Sequence, residues 1–151
     1  MIFEQCKDVL VKECGLVQRI AGLQELIRDA VENRTWTDFE EHFNDLGRMR
    51  EEFALLEAER QRIFPGSFYD CAAGLPSEQR NELSEIYRNL KLETLKVQVA
   101  GEALMGYITG ARATIAGFFE LAFPDRGGKL YTPHGIPVSH DMRSMVLNQA
   151  F

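Results

Sequence analysis

Cysteine is scarce in this chain of 151 residues, which has only Cys6, Cys14 and Cys71 and no CxxC pair. An odd number of scattered cysteines predicts buried structural thiols in a reducing compartment rather than a disulfide framework. The N-terminal segment is acidic from Glu4 onward and has no basic region ahead of an apolar run, so we expect no secretion signal. Together these features predict a cytoplasmic protein.

Basic residues are also few, with 17 Lys and Arg against 23 Asp and Glu and a net charge of −6. Binding to nucleic acid requires a basic surface, so the composition argues against nucleic acid as the main partner. The charge is uneven along the chain. Residues 1–64 carry nine basic and fourteen acidic side chains, whereas residues 124–151 carry three and two.

An uninterrupted apolar run is missing as well. The most apolar stretch, residues 97–123, contains Glu102, Arg112 and Glu120. We therefore expect no membrane insertion.

Sequence signatures of catalysis are absent: the chain has no GxSxG, no P-loop and no dinucleotide fingerprint. The three histidines lie far apart, and Phe39 occupies the position three residues before His42 where a metal-binding helical bundle places a glutamate. His42 is therefore expected at the edge of the core. We expect no catalytic site, no metal and no cofactor.

Helical periodicity is what the sequence does contain, and it predicts an all-α fold. The first helix is expected over residues 3–32 and the second over residues 37–64, where a Thr37–Glu40 capping box begins it and Pro65-Gly66 ends it. Their short connection predicts an antiparallel hairpin. The expected core stripes are Cys6, Val9, Glu13, Leu16, Ile20, Leu23, Ile27 and Ala30, then Phe39, His42, Leu46, Met49, Phe53, Leu56, Arg60 and Ile63, with Phe43 and Leu55 widening the second.

The third helix is expected over residues 76–123, after a connector at residues 65–76. Its stripe has the regular alternation of fours and threes that is typical of coiled coils. A helix of this length would extend past the hairpin or bend. The chain is thus predicted to form a coiled-coil-like three-helix bundle over residues 1–123, followed by a flexible or partner-ordered extended tail over residues 124–151. The predicted stripe is Leu83, Tyr87, Leu90, Thr94, Val97, Gly101, Leu104, Ile108, Ala111, Ile115, Phe118 and Ala122.

A second face of small residues follows the later half of the third helix: Ala103, Gly106, Gly110, Ala113 and Gly117. Small residues at this spacing allow another backbone to approach closely. Either both faces are used inside the bundle, or one is a groove for a partner's helix. Tyr131, alone in an uncharged stretch of the tail, is either packed on the body or an anchor for a partner.

The chain resembles the FlgN family of flagellar export chaperones. The resemblance rests on the acidic hairpin with its segment REEFALLEAERQR at residues 50–62, on the third long helix, and on the tail, where Leu130-Tyr131 is followed by Gly135 and then by Val138-Ser139-His140. The connector and the apolar ending MVLNQAF differ from the family pattern.

The resemblance implies a cytoplasmic chaperone that binds hook–filament junction proteins (FlgK/FlgL-like) and delivers them to the flagellar type III export gate (FlhA-like). It implies gate docking by Tyr131. It implies substrate binding by the tail and by the later part of the third helix, at Leu104, Ile108, Ala111, Ile115 and Phe118.

Two alternatives stay open. One is a structural coiled-coil homodimer or adaptor that uses the third-helix stripe as its seam and has no export role. The other is a metal-containing regulatory bundle enzyme.

Overall fold

Four helices make up the part of the chain described by this computed structural model, which covers the backbone of residues 1–122 and the side chains of residues 1–112. No strand occurs within it, so the predicted all-α fold is confirmed. The predicted tail, residues 124–151, lies outside the described residues. The helices are α1 (Ile2–Glu32), α2 (Trp36–Ile63), α3 (Phe68–Ala72) and α4 (Ser77–Ala122).

Helix α1 packs against both α2 and α4 and has the widest buried face. All eight residues of its predicted stripe are buried. A second series of buried residues on α1 was not predicted. Its members also recur every seven residues, each one position after Val9, Leu16, Leu23 or Ala30 of the stripe. A helix with two neighbours needs a wider apolar face than a single stripe supplies. The additional buried residues are Leu10, Val17, Gln24 and Val31.

Helix α2 contributes a narrower face. Phe39, Leu46, Phe53 and Arg60 are its buried residues, and each is seven positions from the next. The other predicted positions, including His42 at the edge of the core, are half-buried as expected. Leu55 is an exception: it is 73% exposed, so the prediction that it widens the apolar face was wrong.

The turn between α1 and α2 differs from the prediction. Arg34 has a left-handed backbone (φ 56°), and the Arg34 and Thr35 amides donate to the carbonyls of Val31 (3.2 Å) and Ala30 (2.9 Å). This is a Schellman-type ending of α1. Because Thr35 is already fixed by this ending, it becomes the N-cap residue of α2, and its hydroxyl donates to Ala30 O (3.3 Å). The predicted capping box at Thr37 was therefore wrong.

The connector contains the short helix α3, which was not predicted. Phe68 stacks on Tyr87 of α4 with ring centroids 4.0 Å apart, and Phe64 lies 5.4 Å from Phe68. A five-residue helix is too short to be stable by itself, so aromatic packing rather than helical periodicity specifies it. Helical periodicity therefore gives no signal for α3 in the sequence.

Helix α4 runs parallel to α1. Lys7 pairs with Glu82 (2.5 Å), the Gln24 side-chain amide donates to Val97 O (3.1 Å), and the Arg28 guanidinium lies 5.3 Å from the centre of the Tyr107 ring. These contacts advance along both helices in the same direction. The predicted α4 stripe is buried from Leu83 to Ile108. The α4 backbone continues to Ala122, beyond the level at which α1 ends.

A buried ion pair ties the helices together near the open end of the hairpin. Arg60 Nε donates to Glu13 Oε1 (2.8 Å), and the same guanidinium lies 5.3 Å from the centre of the Tyr87 ring. Burial raises the pKa of Glu13 to about 7, although the nearby Arg60 charge opposes this shift. Within the described residues, the second carboxylate oxygen of Glu13 has no hydrogen-bond partner. The pair therefore costs desolvation energy and fixes which side chains meet.

We expect Arg60→Ala to lower the free energy of unfolding by about 3–5 kcal/mol at most, because the buried Glu13 carboxyl group loses its partner and must either stay charged or take up a proton. The double variant Glu13→Leu/Arg60→Met should lose far less, since it removes both charges and keeps apolar volume. Urea unfolding followed by circular dichroism measures both effects. Arg62→Ala, which breaks an exposed pair with Glu59 on the same helix, is the control and should barely change the midpoint. Equal losses for Arg60→Ala and the double variant would contradict this account.

Candidate partner-binding surface

The residues predicted to bind a substrate protein do not form an exposed patch. Leu104 and Ile108 are 4% and 6% exposed and belong to the core, while Ala111 is half-buried against it. The side chains of Ile115 and Phe118, and all of Tyr131, lie outside the described residues. Because α4 uses this stripe to pack on α1, a partner could reach Leu104 and Ile108 only by displacing α1.

The exposed apolar surface of α4 lies on the opposite side of the helix. Leu92, Leu95 and Val99 are 50%, 56% and 60% exposed. Ala103 and Gly106 continue the same line at helical spacing and are also exposed. We call these five residues the outer face of α4. Its small residues were predicted from the sequence, whereas its three large ones were not, although they form a second line of apolar positions offset from the core stripe.

A groove of about 500 Å³ lies where the turn of the hairpin meets α4, and we call it the hairpin-tip groove. Two glycines and Tyr107 of α4 line it together with Trp36, the first residue of α2. Its lining residues are Val31, Glu32, Arg34, Trp36, Gly106, Tyr107, Gly110 and Ala111.

The two aromatic side chains of the groove are held in place by their neighbours. Trp36 makes an edge-to-face contact with Phe39 (centroids 6.0 Å apart), and Phe39 stacks on Phe43 (5.4 Å). Tyr107 is fixed from the other side by the Arg28 guanidinium. Rigid aromatic rings offer large contact area at little cost in conformational entropy. The groove is therefore suited to anchoring an apolar segment.

Gly106 has no packing requirement among the described residues. A Cβ atom built at this position meets nothing within 4 Å. Glycine inside a helix costs roughly 0.5–1 kcal/mol relative to alanine. Here the consequence of the missing side chain is that α4 presents bare backbone to the groove.

Reactive chemistry is not evident in the described part. Burial raises the pKa of the Cys6 thiol to about 11 and also raises that of Cys14, so both stay protonated at neutral pH. Residues 1–112 contain no cluster of three or more His, Cys, Asp or Glu side chains placed to hold a metal ion. In the same part of the chain, no helix combines the length and the apolarity needed to cross a bilayer.

Comparisons of the chain with protein-family models, with curated proteins and with solved structures gave no significant match in any of the three.

We expect Gly106→Ala to raise the free energy of unfolding by about 0.5–1 kcal/mol, because alanine favours the helix and the added methyl group meets open space. Chemical unfolding of the purified protein measures the change. Gly66→Ala is a matched control that should have the opposite sign, since Gly66 has φ +81° and alanine is strained there. A loss of stability in Gly106→Ala would show that the groove is narrower than the structure indicates.

Proposed function

We propose that this protein is a cytoplasmic export chaperone of the FlgN type, which holds an apolar helix of a hook–filament junction protein (FlgK/FlgL-like) in the hairpin-tip groove and delivers it to an export gate protein (FlhA-like). The observation that carries the proposal is the groove itself, whose lining includes two aromatic side chains and two helical glycines. Such a protein acts by binding and needs no catalytic residue.

The shape of the groove suits a helix more than a small molecule. Gly106 and Gly110 allow a partner backbone to come close to α4, and Trp36 and Tyr107 in the same lining can pack against its apolar side chains. This is the helix-in-groove mode of recognition, in which a few apolar anchors supply most of the binding energy. The charged side chains of Glu32 and Arg34 also line the groove, where they can select the orientation of a bound helix.

The charge of the chain supports the same proposal. A carrier must keep an aggregation-prone segment dispersed, and binding that segment lowers the concentration of its self-associating form by mass action. A net charge of −6 keeps the carrier and its complex apart from other copies. The tail motif around Tyr131, which resembles the FlgN family, supplies the further proposal of a gate contact.

We expect Gly106→Leu to weaken binding of the junction proteins at least tenfold, because the leucine side chain occupies the groove. The measurement is isothermal titration calorimetry with the purified hook–filament junction proteins of the same genome. Gly22→Leu is the matched control: Gly22 is an exposed helical glycine of α1 with equally open space around it, and it does not line the groove.

Two results would overturn the proposed groove: undiminished binding by Gly106→Leu, or equal weakening by both variants. A wild-type protein that binds none of the junction proteins would overturn the chaperone function itself.

We expect Tyr131→Ala to leave binding of the junction proteins unchanged and to weaken binding to the cytoplasmic domain of the gate protein. Tyr131→Phe is the control, because it keeps most of the contact area and removes only the hydroxyl group. Equal gate binding by the wild type and Tyr131→Ala would contradict the role of this tyrosine.

A further inference from the structure

The buried ion pair of Glu13 and Arg60 occupies positions that elsewhere in the bundle hold apolar residues. The buried residues of α2 recur every seven positions, and Arg60 takes the place that Phe39, Leu46 and Phe53 take in the earlier heptads. Glu13 belongs to the buried stripe of α1 and is 0% exposed. The last heptad of α2 therefore contacts α1 through a charged side chain instead of an apolar one.

The Glu13 carboxylate is only half satisfied at this position. Arg60 Nε donates to Oε1 (2.8 Å), whereas within the described residues Oε2 has no hydrogen-bond partner. A buried carboxylate needs several donors to offset the water that it has lost. A neutral carboxyl group loses much less on burial, and its carbonyl oxygen can still accept the bond from Arg60 Nε. Protonation of Glu13 thus removes most of the desolvation cost and keeps the hydrogen bond.

Burial is the largest influence on the Glu13 carboxyl group, and it raises the pKa to about 7 from the ordinary value of 4.5. Two groups of α2 act on this pKa in opposite directions. The Arg60 charge favours the ionised carboxylate, whereas the Glu57 carboxylate favours the neutral form. Glu13 therefore changes its protonation state near neutral pH.

Other titratable groups face the same pair from α1, α3 and α4. Cys6 and Cys14 of α1 both interact with the buried carboxyl group, and because burial raises the pKa of each thiol, both stay neutral at pH 7. Cys71 of α3 acts electrostatically on Cys6, and Glu93 of α4 acts on Cys14. Tyr87 of α4 places its ring against the guanidinium. Within the described residues, none of these groups gives the second carboxylate oxygen a hydrogen bond.

We propose that Glu13 and Arg60 form a pH-sensitive switch, in which proton loss from Glu13 loosens the last heptad of α2 from α1 and α4, and proton uptake restores the contact. The turn at the other end of the hairpin is held by its own backbone hydrogen bonds, and the earlier heptads of α2 have apolar buried residues. The opening is therefore confined to the open end of the hairpin. This inference goes beyond the proposed function and does not depend on it.

The direction of the effect follows from proton linkage. Glu13 binds its proton more tightly in the folded protein than in the unfolded chain, so this group stabilises the fold fully below about pH 4.5 and ceases to do so as the pH rises through about 7. From this group alone, the equilibrium constant for folding should be about 30-fold larger at pH 5.5 than at pH 8.5.

Urea unfolding of the full chain at pH 5.5, 7.0 and 8.5 tests the linkage. Glu13→Gln cannot titrate, and the folding constant of the wild type divided by that of this variant cancels the titration of other groups. We expect this ratio to be about 30-fold larger at pH 5.5 than at pH 8.5. If Glu13→Gln does not fold, the double variant Glu13→Leu/Arg60→Met takes its place.

Glu59→Gln is the matched control for the linkage. It makes the same change at an exposed carboxylate of α2, where the hydrogen bond from Arg62 lowers the pKa of Glu59, so its pH dependence should follow that of the wild type. A ratio of wild type to Glu13→Gln that changes less than threefold, or that is smaller at pH 5.5 than at pH 8.5, would overturn the proposal.

Labelling of the Cys6 thiol locates the opening, because Cys6 is 0% exposed and interacts with the buried pair. In a Cys14→Ser/Cys71→Ser background, its labelling rate with a pyridyl disulfide is divided into the rate of the urea-unfolded chain at the same pH, which gives a protection factor. We expect this factor to fall at least tenfold from pH 5.5 to pH 8.5. It should stay constant when both charges are removed by Glu13→Leu/Arg60→Met, and an equal fall there would overturn the switch.

A cysteine near the turn of the hairpin tests whether the opening is local. Ala30 is 4% exposed and close to that turn, so Ala30→Cys in a chain without its three native cysteines is the matched site. At pH 8.5 it should be protected at least tenfold more strongly than Cys6. Equal protection of the two sites would show that the whole bundle opens together and would overturn the local switch.

Discussion

Helix α1 packs against two helices, α2 and α4, at the same time, and the other features of the bundle depend on this packing. Its buried residues fall into three series at seven-residue spacing, which together cover a wide arc of the helix. The buried faces of α2 and α4 are narrower: α2 buries one residue per heptad, and α4 buries a single stripe. The stability of the described part therefore depends mainly on α1 being covered from both sides.

The parallel course of α4 decides where the accessible surfaces lie. Since the core stripe of α4 is used against α1, the opposite side of the helix is left with its own apolar line. Since α4 runs in the same direction as α1, the later half of α4 lies next to the turn of the hairpin, and Gly106 and Trp36 line the same groove there. The parallel packing of α4 on α1 thus produces both the hairpin-tip groove and the outer face.

Periodicity predicted the buried stripe of α1, alternate positions of the stripe of α2, and the stripe of α4 from Leu83 to Ile108, because each stripe is a local pattern that burial imposes on the sequence. It did not predict the second series on α1, since Gln24 in that series is polar and its role becomes apparent only when Val97 O is placed opposite it. Helix α3 was missed because Phe68 and Tyr87 meet through tertiary packing. Two of the residues predicted to bind a partner, Leu104 and Ile108, fit a partner groove in sequence, but the structure uses them internally.

The parallel arrangement also bears on the order in which the chain folds. Partners across the turn of the α1–α2 hairpin are near in sequence, and the hairpin can close from that turn. Gln24 and Val97, by contrast, are 73 residues apart, and a parallel pair of helices keeps a separation of this size along its whole length. Loop closure over such a distance is slow and follows local structure. During synthesis the side of α1 that packs on α4 therefore stays uncovered until α4 has left the ribosome. For that interval the nascent hairpin exposes an apolar surface that needs protection.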